Sequence, residues 1–261
     1  MRVAAHVVEA RRESLSRLLE RHRYLSVPEL ARQLGVSEPT ARRDLAALAN
    51  QERITRTHGG AMLEMEVTFA SLGDRARVAR SAKARIARRA QEFFRPGSTC
   101  YLDAGTTMLA IAQRLRTHPV RGLTILTNNL AAADALSGSD QVEVRLSGGR
   151  WLSRQAFLFG PEANRAVENW DIHTAFFSAE GMDHEGLWNT QSEVVELQRM
   201  VIAKARRVVF CLDSSKLGHS TPNRLTTWDR VQHLVTDASP ALLASARIPL
   251  ARRSIISASS S

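Results

Sequence analysis

The sequence predicts an α/β protein with two structured parts: a small N-terminal helix-turn-helix with a β-ribbon, or wing, and a larger domain built on a parallel β-sheet. Two observations support this prediction. Near residue 35 two short helices with capping residues flank a glycine turn, and after Ser98 strand-like runs alternate with helical stretches. A chain of 261 residues is long enough for one small domain and one of moderate size.

The composition is that of a globular protein with a basic balance. Hydrophobic residues make up 44% of the chain, so disorder is not expected, and the formal net charge is +10. Such a charge favours a polyanionic partner such as nucleic acid. This support is weak, because arginine greatly outnumbers lysine and a GC-rich genome would produce the same bias.

The two cysteines, Cys100 and Cys211, lie in apolar, strand-like runs and are expected to be buried free thiols in a reducing cytoplasm. Two thiols are too few for a disulfide scaffold or a four-cysteine zinc site, and the dispersed histidines lack metal-ligand spacing. No apolar run approaches the roughly 18 residues of a membrane-spanning helix, and no signal peptide opens the chain. We therefore expect a cytoplasmic protein with no cofactor, no metal site and no membrane contact.

The N-terminal module is predicted from its helix signals. Residues 1–10 carry no clear signal and are expected to form a mobile leader, followed by a helix over Arg11–Arg23. Ser26 and Glu29 then have the spacing of a capping box, and Gly35 suits the turn that ends the second helix. A helix, a glycine turn and a second capped helix form the layout of a helix-turn-helix.

The third helix, over Val36–Leu45 (VSEPTARRDL), is the predicted DNA-recognition helix. Ser37 can cap it, and its apolar back leaves arginines near its start free for the DNA major groove. An ordinary amphipathic surface helix is the alternative. Asp44 faces the buried side, where we expect it to orient an arginine or fix helix packing. The residues expected to contact DNA are Ser37, Pro39, Thr40, Arg42 and Arg43, with Thr40 and Arg43 reading base edges.

A wing is predicted after this helix. Arg53–Thr57 alternates polar with β-branched residues and precedes Gly59-Gly60, which favours a β-hairpin. Arg53, Arg56 and His58 are expected to contact phosphates or the adjacent minor groove. For His58 a solvated loop histidine is an equally good alternative.

The stretch SVPELARQLGVSEPTARRDLAALANQERITRTHGGA resembles the winged helix-turn-helix of the DeoR family of bacterial transcriptional regulators. The match is close at LARQLGVS, at TARRDL and at the wing ending RTHGGA, a combination far more specific than a helix-turn-helix pattern alone. The resemblance implies a DNA-binding domain, which we assign to residues 11–66. One departure is Ala41, where the family usually has a larger apolar residue.

Residues 67–95 are assigned to a basic connector helix. The segment RARVARSAKARIARRAQEFFR carries eight basic residues, and Val78, Ala82, Ile86, Ala90 and Phe93 can form an apolar seam. The connector can add phosphate contacts, or it can be a solvated helix that starts the next domain. In the DeoR family a segment like KARIARRA leads into the sensor domain, which favours the second alternative.

The larger domain is assigned to residues 96–240, followed by a C-terminal tail over residues 241–261 that is expected to be poorly ordered beyond about Pro249. Strands are predicted at Thr99–Leu102, Leu123–Thr127, Val142–Leu146, Thr174–Phe177, Arg207–Leu212 and His233–Thr236. Helices are predicted at Thr106–Leu115, Leu130–Leu136, Gly160–Val167 and Glu193–Ala205. This alternation implies a parallel sheet with helices on both faces, in which ligands bind at the carboxyl ends of the strands.

Polar turns with small residues follow four of these strands. Asp103-Ala104-Gly105-Thr106-Thr107 follows the first, and a glycine with two hydroxyls at a helix N-terminus suits a phosphate group. Thr127-Asn128-Asn129, Ser147-Gly148-Gly149-Arg150 and Asp213-Ser214-Ser215-Lys216 follow the second, third and fifth. Each turn alone is weak support, but together they predict a site for an anionic, hydroxyl-rich ligand such as a phosphorylated sugar.

The segments YLDAGTT, LTNNL, LSGG, EGMDHEGL and LDSSK resemble the DeoR-type sensor domain, which is related in fold to ribose-5-phosphate isomerase and similar sugar-phosphate enzymes. The resemblance implies an effector site formed by Asp103, Gly105, Thr106, Thr107, Thr127, Asn128, Gly148, Gly149 and Lys216. Two positions depart from the family. Gln198 lies near a position where lysine is common, which puts a lysine contact in doubt, and Glu180 lies where a small or apolar residue is expected.

Catalysis is not expected. A proton-shuttling isomerase needs a carboxylate base, for which Asp103, Glu193 and Glu196 are candidates by type, but both glutamates equally suit the first turn of a helix. Glu193 is kept as an effector-site residue. The sequence thus predicts a repressor of a sugar operon that binds double-stranded DNA as a homodimer or homotetramer. The alternatives are a sugar-phosphate isomerase with an accessory DNA-binding domain and a general DNA binder.

Overall fold

The computed structural model describes residues 5–22, 24–49, 54–56, 60–63, 72–152, 156–251 and 254–258. The elements of the N-terminal module are α1 (Ala5–His22), β1 (Tyr24–Ser26), α2 (Val27–Leu34), α3 (Glu38–Ala49), β2 (Ile54–Arg56) and β3 (Gly60–Leu63). Of the helices in the described ranges, none combines the length and the apolarity that a membrane span requires.

The three helices of this module pack around a small apolar core. Its most deeply buried members are Leu15, Leu19, Leu30, Leu45 and Leu48. Burying one such side chain stabilises the fold by about 1.5–3 kcal/mol, so these leucines dominate the packing. The predicted cap of α2 is confirmed, because Ser26 Oγ accepts a hydrogen bond from Glu29 N at 3.4 Å. Gly35 ends α2 in the left-handed conformation at φ 63°.

Helix α1 begins at Ala5, so the prediction of a mobile leader over residues 1–10 is wrong from Ala5 onward. The first two turns of α1 contribute nothing to the core: Val7 is 45% exposed, and the buried stripe starts at Leu15. A helix segment without a buried stripe has no hydrophobic periodicity, which is the signal that would have revealed it.

Strand β1, which was not predicted, joins the wing. It pairs antiparallel with β3, which pairs with β2 on its other side. Gly60 of β3 approaches β1 so closely that an added Cβ would lie 2.2 Å from the carbonyl oxygen of Leu25. Glycine is therefore required at this position. The hairpin turn was predicted at Gly59-Gly60, but Gly60 is the first residue of β3, and Gly59 lies outside the described residues.

Along the rest of the chain the helices are α4 (Leu72–Arg77), α5 (Arg80–Ala90), α6 (Thr106–Thr117), α7 (Leu130–Leu136), α8 (Pro161–Glu168), α9 (Ser192–Lys204) and α10 (Pro240–Ser245). The strands are β4 (Thr99–Leu102), β5 (Leu123–Thr127), β6 (Val142–Leu146), β7 (Arg150–Leu152), β8 (Phe157–Phe159), β9 (Thr174–Phe177), β10 (Gly181–Asp183), β11 (Gly186–Asn189), β12 (Arg207–Leu212), β13 (Asn223–Thr226), β14 (His233–Thr236) and β15 (Ile255–Ser257). Short 3₁₀ turns cover Gln91–Phe93, Ser214–Lys216 and Trp228–Arg230.

Seven of these strands form a parallel sheet in the order β15-β14-β12-β9-β4-β5-β6. The six strands predicted from the sequence all belong to this sheet, within the predicted bounds. From β4 the chain proceeds to β5 and β6 on one side, then returns to β9 on the other side of β4. The strand order thus reverses between β4 and β9. In such sheets ligands bind in the crevice at the carboxyl ends of the strands where the order reverses.

Helices cover both faces of this sheet. On one face α5, α6 and α7 bury Ile86, Ile111 and Leu136, and on the other α8 and α9 bury Val167 and Val201. Because α5 packs directly on the sheet, this part of the predicted connector is the start of the larger domain, which was the second of the two alternatives.

The predicted apolar seam of the connector is interrupted where α4 ends. Val78 is 59% exposed, and Ala79 turns the chain in the left-handed conformation at φ 52° before α5 begins. Ala82, Ile86 and Ala90 are buried as predicted.

The prediction of a poorly ordered tail is wrong for residues 254–258. Strand β15 pairs in parallel with β14 and forms one edge of the sheet. Ala258 N donates to the Thr236 carbonyl at 2.8 Å, and Arg85 Nε donates to the Ala258 carbonyl at 2.8 Å. The two isoleucines of β15 are too short a run to predict a strand, which forms here because β14 offers a free edge.

Candidate DNA-binding surface and ligand site

Helix α3 has an apolar face towards the core and a polar face towards solvent. Ala41, Leu45 and Leu48 are at most 1% exposed. The predicted DNA-contacting residues lie on the other side: Ser37, Pro39, Arg42 and Arg43 are exposed and Thr40 is half-buried. A short helix with such a basic, exposed face has the dimensions that the major groove of B-DNA admits.

Two contacts organise the polar face of α3. The hydroxyls of Ser37 and Thr40 share a hydrogen bond at 3.0 Å. Arg42 forms an ion pair with Glu38, one turn earlier, at 3.3 Å. Arg43 has no ion-pair partner among the described residues, so its guanidinium is available to a ligand.

Asp44 fixes α3 to α1. Its carboxylate is 2% exposed and accepts hydrogen bonds from Arg11 Nε at 2.6 Å and Arg12 Nε at 3.2 Å. The prediction that Asp44 orients an arginine or fixes helix packing is confirmed. The pairing also explains how a charged side chain can be buried behind the recognition helix.

The wing residues are described only in part. Arg56 lies in β2, where it is paired with Ala61 of β3. Arg53 and His58, which were predicted to contact DNA, lie outside the described residues.

In the larger domain, Asp103 follows β4 at the point where the strand order reverses. It is 1% exposed, and its carboxylate accepts hydrogen bonds from Gln198 Nε2 at 2.5 Å and from the Tyr101 hydroxyl at 3.5 Å. Burial raises the pKa of Asp103 to about 7, although hydrogen bonds from Gln198 and from the backbone of Ala104 and Ser178 act in the opposite direction.

Gln198 connects Asp103 to a chain of hydrogen bonds. Gln198 Oε1 accepts from Asn189 Nδ2 at 2.7 Å, and Asn189 Oδ1 accepts from Glu180 N at 2.9 Å. The carboxylate of Glu180, half-buried, accepts from the hydroxyl of Thr190. The two positions that depart from the DeoR sensor-domain pattern, Gln198 and Glu180, are thus parts of one polar network.

The turn after β5 holds the turn after β4 in place. Asn129 Nδ2 donates to the Asp103 carbonyl at 3.4 Å and to the Gly105 carbonyl at 3.2 Å. The Thr127 hydroxyl donates to the Leu102 carbonyl at 2.6 Å, so it supports the backbone. Asn128 Nδ2 donates to Leu158 O, whereas its buried Oδ1 has no hydrogen-bond partner among the described residues.

Helix α6 begins beside Asp103 without a side-chain cap. Gly105, at φ 104°, is the residue before the helix. Because glycine has no side chain, it cannot cap the first turn. Thr106 is half-buried and Thr107 is 3% exposed. The free N–H groups of this first turn are suited to bind an anion.

The remaining predicted residues lie on the turns after β6 and β12 and at the start of α9. Gly148 has open space around its Cα, whereas at Gly149 an added Cβ would lie 2.5 Å from Phe159 O, so Gly149 is required by the β7–β8 hairpin. Lys216 is half-buried in the turn after β12. Glu193 is exposed and accepts from the Ser192 hydroxyl at 3.0 Å.

A basic groove adjoins the start of α6. It has a volume of about 600 Å³ and lies between α4, α5 and α6. Thr106 is part of its wall, and the charged residues that line it are Arg77, Arg80, Lys83, Arg85, Arg88 and Arg114. The turn after β4, which was predicted to bind phosphate, therefore adjoins a positive surface.

Both parts of the chain match known families over these sites. Residues 11–66 match the DeoR-like helix-turn-helix domain, and residues 78–238 match the DeoR C terminal sensor domain. The chain belongs to the DeoR family. It is a DNA-binding transcriptional regulator, with the sensor domain built on the parallel sheet.

Relatives match over nearly the whole chain. The glycerol-3-phosphate regulon repressor of Escherichia coli (strain K12) is 32% identical over 231 residues, which cover 88% of this chain and 91% of that protein. The L-fucose operon activator of the same strain is 29% identical over 233 residues, covering 87% and 94%. Among solved structures, ribose 5-phosphate isomerase A from Methanocaldococcus jannaschii overlaps 53% of this chain and 54% of its own at 15% identity, with a TM-score of 0.38.

Sequence reasoning missed the side chains that hold the sensor site together. Asn129 was noted in its turn but not assigned a role, and Gln198 was seen only as the absence of a lysine. Asn189 carried no signal, since a buried asparagine at the end of a strand has no distinctive spacing. Its contact with Gln198 becomes evident only when β11 and α9 are placed side by side.

Proposed function

We propose that this DeoR-family regulator controls a carbohydrate operon and that a phosphorylated sugar changes its affinity for DNA. The observation that carries the proposal is the start of α6: an uncapped helix N-terminus lies at the reversal of the strand order, directly after the buried Asp103. Helix N-termini bind phosphate groups, and acceptors such as Asp103 and Asn128 Oδ1 suit sugar hydroxyls. The E. coli relatives named for glycerol 3-phosphate and L-fucose support a carbohydrate-related role.

In this proposal the effector site consists of the ten predicted residues. Gly105, Thr106 and Thr107 bind the phosphate, and Asp103 and Asn128 bind hydroxyl groups. Gly148 leaves space at the edge of the site, while Thr127 and Gly149 support its backbone. Lys216 and Glu193 lie at the rim of the site, where their charges influence which ligands bind. We assign DNA binding to residues 11–66 and effector sensing to residues 96–240, together with α5 of the predicted 67–95 connector and β15 of the predicted tail, which both pack in the larger domain.

On DNA, Thr40 and Arg43 read base edges in the major groove, and Arg42 contacts a flanking base or phosphate. Ser37 and Pro39 lie at the helix start beside the backbone, and Arg53, Arg56 and His58 reach the adjacent groove from the wing. A symmetric operator requires two copies of this helix, so the regulator acts as a homodimer or homotetramer in the cytoplasm. Repression is the proposed mode, following the glycerol-3-phosphate relative.

Regulation requires that the effector bind the DNA-competent and DNA-incompetent states with different affinities. The site itself does not act as an enzyme in this proposal. Asp103 is engaged by Gln198 and Tyr101, and the other candidate bases are exposed: Glu193 accepts from the Ser192 hydroxyl at 3.0 Å, and Glu196 accepts from Asn164 at 3.0 Å.

The test combines DNA retardation and turnover. The full chain is titrated onto its own upstream DNA with glycerol 3-phosphate, glucose 6-phosphate, fructose 6-phosphate and ribose 5-phosphate in turn, and turnover of each is measured in parallel. We expect specific DNA binding, a change in DNA affinity with at least one sugar phosphate, and no turnover. Turnover without specific DNA binding would support the isomerase alternative instead.

Thr106→Ala tests the phosphate loop. We expect this variant to bind operator DNA normally but to bind the active sugar phosphate at least 10-fold more weakly, because a hydrogen bond to a charged group is worth about 1.5–3 kcal/mol. Thr117→Ala, at the far end of the same helix, is the matched control and should respond as wild type does. An unchanged response in Thr106→Ala would remove this loop from the site.

A further inference from the structure

A buried lysine fixes the connector helix α4 to the sensor domain. Lys83, in the first turn of α5, is 6% exposed. Its Nζ donates hydrogen bonds to the main-chain carbonyls of Arg75 at 2.6 Å and of Val78 at 2.7 Å. These carbonyls lie at the end of α4, where the last carbonyl groups of a helix have no N–H donor within the helix. The end of α4 is therefore held at one place on the sensor domain.

That place is beside the carboxyl edge of the sheet. Lys83 is close enough to interact electrostatically with Asp213 and Lys216, in the turn after β12, and Arg75 interacts with Glu180, which follows β9. Helix α4 also packs against α6, whose first turn forms the proposed phosphate loop. The connector helix thus lies next to the turns that surround the reversal of strand order.

Arg75 brings unpaired donors to this edge. Its Nε and Nη2 atoms are shielded from solvent and have no hydrogen-bond partner in the described part of the chain. Burial lowers the pKa of its guanidinium, against the attraction of Glu180. Native proteins retain few unpaired buried donors, and those that persist usually have a reason. The planar guanidinium fork matches phosphate and carboxylate groups with two parallel hydrogen bonds.

We propose that Arg75 is an effector-binding residue, whose guanidinium binds the anionic group of the sugar phosphate and so joins the effector to the connector helix. This inference rests on the proposed function and adds the route by which the bound effector acts on the connector helix. An effector held only by the strand turns would bind equally well wherever α4 lay, and could not act through it. An effector that also binds Arg75 stabilises one position of α4, the helix that leads back towards the DNA-binding domain.

The experiment compares Arg75→Met with Arg77→Met in the full chain. Both changes remove one arginine from α4, but the side chain of Arg77 is 84% exposed and paired with Asp74 at 3.4 Å. The probe is the panel sugar phosphate that wild type binds most tightly, measured by calorimetry and by its effect on DNA retardation. We expect Arg75→Met to weaken binding at least 10-fold and to reduce the effect on DNA, and Arg77→Met to change affinity less than 2-fold.

Two further measurements separate binding from a structural role. Without sugar phosphate, the thermal midpoint of Arg75→Met should equal or exceed that of wild type, since unpaired buried donors are removed. Arg75→Lys, which keeps the charge without the fork, should fall between wild type and Arg75→Met in affinity.

Equal losses in Arg75→Met and Arg77→Met, a lowered thermal midpoint in Arg75→Met, or unchanged affinity in Arg75→Met would each overturn the inference. If Thr106→Ala failed to bind the sugar phosphate while Arg75→Met bound it as tightly as wild type does, this inference alone would be refuted. The proposed function would then still hold. If wild type bound no member of the panel, both would fall.

Discussion

The carboxylates of Asp44 in the DNA-binding module and Asp103 in the sensor domain are both almost fully buried, but their surroundings are opposite. Asp44 behind the recognition helix is 2% exposed and binds the guanidinium groups of Arg11 and Arg12. Asp103 in the sensor domain is 1% exposed, and the side chains that donate to it are the neutral Gln198 and Tyr101. The first carboxylate has its charge neutralised by cations, and the second does not.

This difference distinguishes a carboxylate that stabilises helix packing, Asp44, from one whose protonation state can change, Asp103. A buried carboxylate between two arginines joins two helices and loses much when a partner is removed. Burial raises the pKa of Asp103, whose side-chain partners are neutral, to about 7, so a bound ligand or a proton can change its state. The DNA-binding module uses the buried charge of Asp44 to fix α3, whereas the sensor domain holds Asp103 without a cationic partner at the carboxyl edge of its sheet.

The largest expected effect is a pH dependence of stability that comes from Asp103. Burial raises its pKa to about 7, whereas an unfolded aspartate titrates near pH 3.9. The folded protein therefore holds this proton more tightly than the unfolded chain. Asp103 contributes stability that is fully present below about pH 4 and is lost as pH rises through about 7. The full loss is on the order of 4 kcal/mol, at about 1.4 kcal/mol for each pH unit.

Urea unfolding followed by tryptophan fluorescence can measure this loss, because Trp151, Trp170, Trp188 and Trp228 all lie in the larger domain. We expect wild type to lose stability relative to Asp103→Asn between pH 5 and pH 8. Asp171→Asn is the matched control, since Asp171 is exposed and paired with Arg206 at 2.7 Å. A constant difference between wild type and Asp103→Asn across this range would show that the carboxylates of Asp44 and Asp103 do not differ as described.

The second largest effect is expected when the Asp44 carboxylate is removed. Asp44→Ala should destabilise the α1–α3 packing by about 2 kcal/mol, because it leaves Arg11 and Arg12 without their buried partner. Larger values are not expected, since these arginine side chains are 17% and 32% exposed and regain water in part. Hydrogen exchange of α3 amides measures the change. Glu38→Ala removes the exposed partner of Arg42 and should cost at most about 0.5 kcal/mol; equal losses in the two variants would contradict the structural role of Asp44.

The central strands were predictable because their signals are local. Strands β4, β5 and β12 are mostly apolar runs bounded by polar turns, and central strands of a parallel sheet are buried on both faces. Strands β1 and β15, with three residues each, exist only because β3 and β14 offer edges. Nothing within three residues distinguishes such a strand from a loop.

The candidate sites show the same limit. The turn at Asp103 was predictable from glycine and hydroxyl residues after a strand, and the inward side of Asp44 followed from helical periodicity. Their partners were not predictable, because Gln198 lies 95 residues from Asp103, and Arg11 lies 33 residues from Asp44. Residue type and spacing can indicate where a polar group lies, but its charge environment depends on contacts that only the fold brings together.

The smallest expected effect concerns the two arginines on the exposed face of α3. Arg43 is free of ion pairs among the described residues, whereas Arg42 is paired with Glu38 at 3.3 Å. Arg43→Ala should therefore reduce the preference for the chain's own upstream DNA over random DNA by about 10-fold, equivalent to about 1.4 kcal/mol. Arg42→Ala should weaken binding to both DNAs similarly and lower the salt dependence by about one phosphate contact. Titrations at several salt concentrations measure both quantities. If Arg43→Ala instead weakens both DNAs equally, Arg43 contacts only phosphate, and base readout on this helix rests with Thr40.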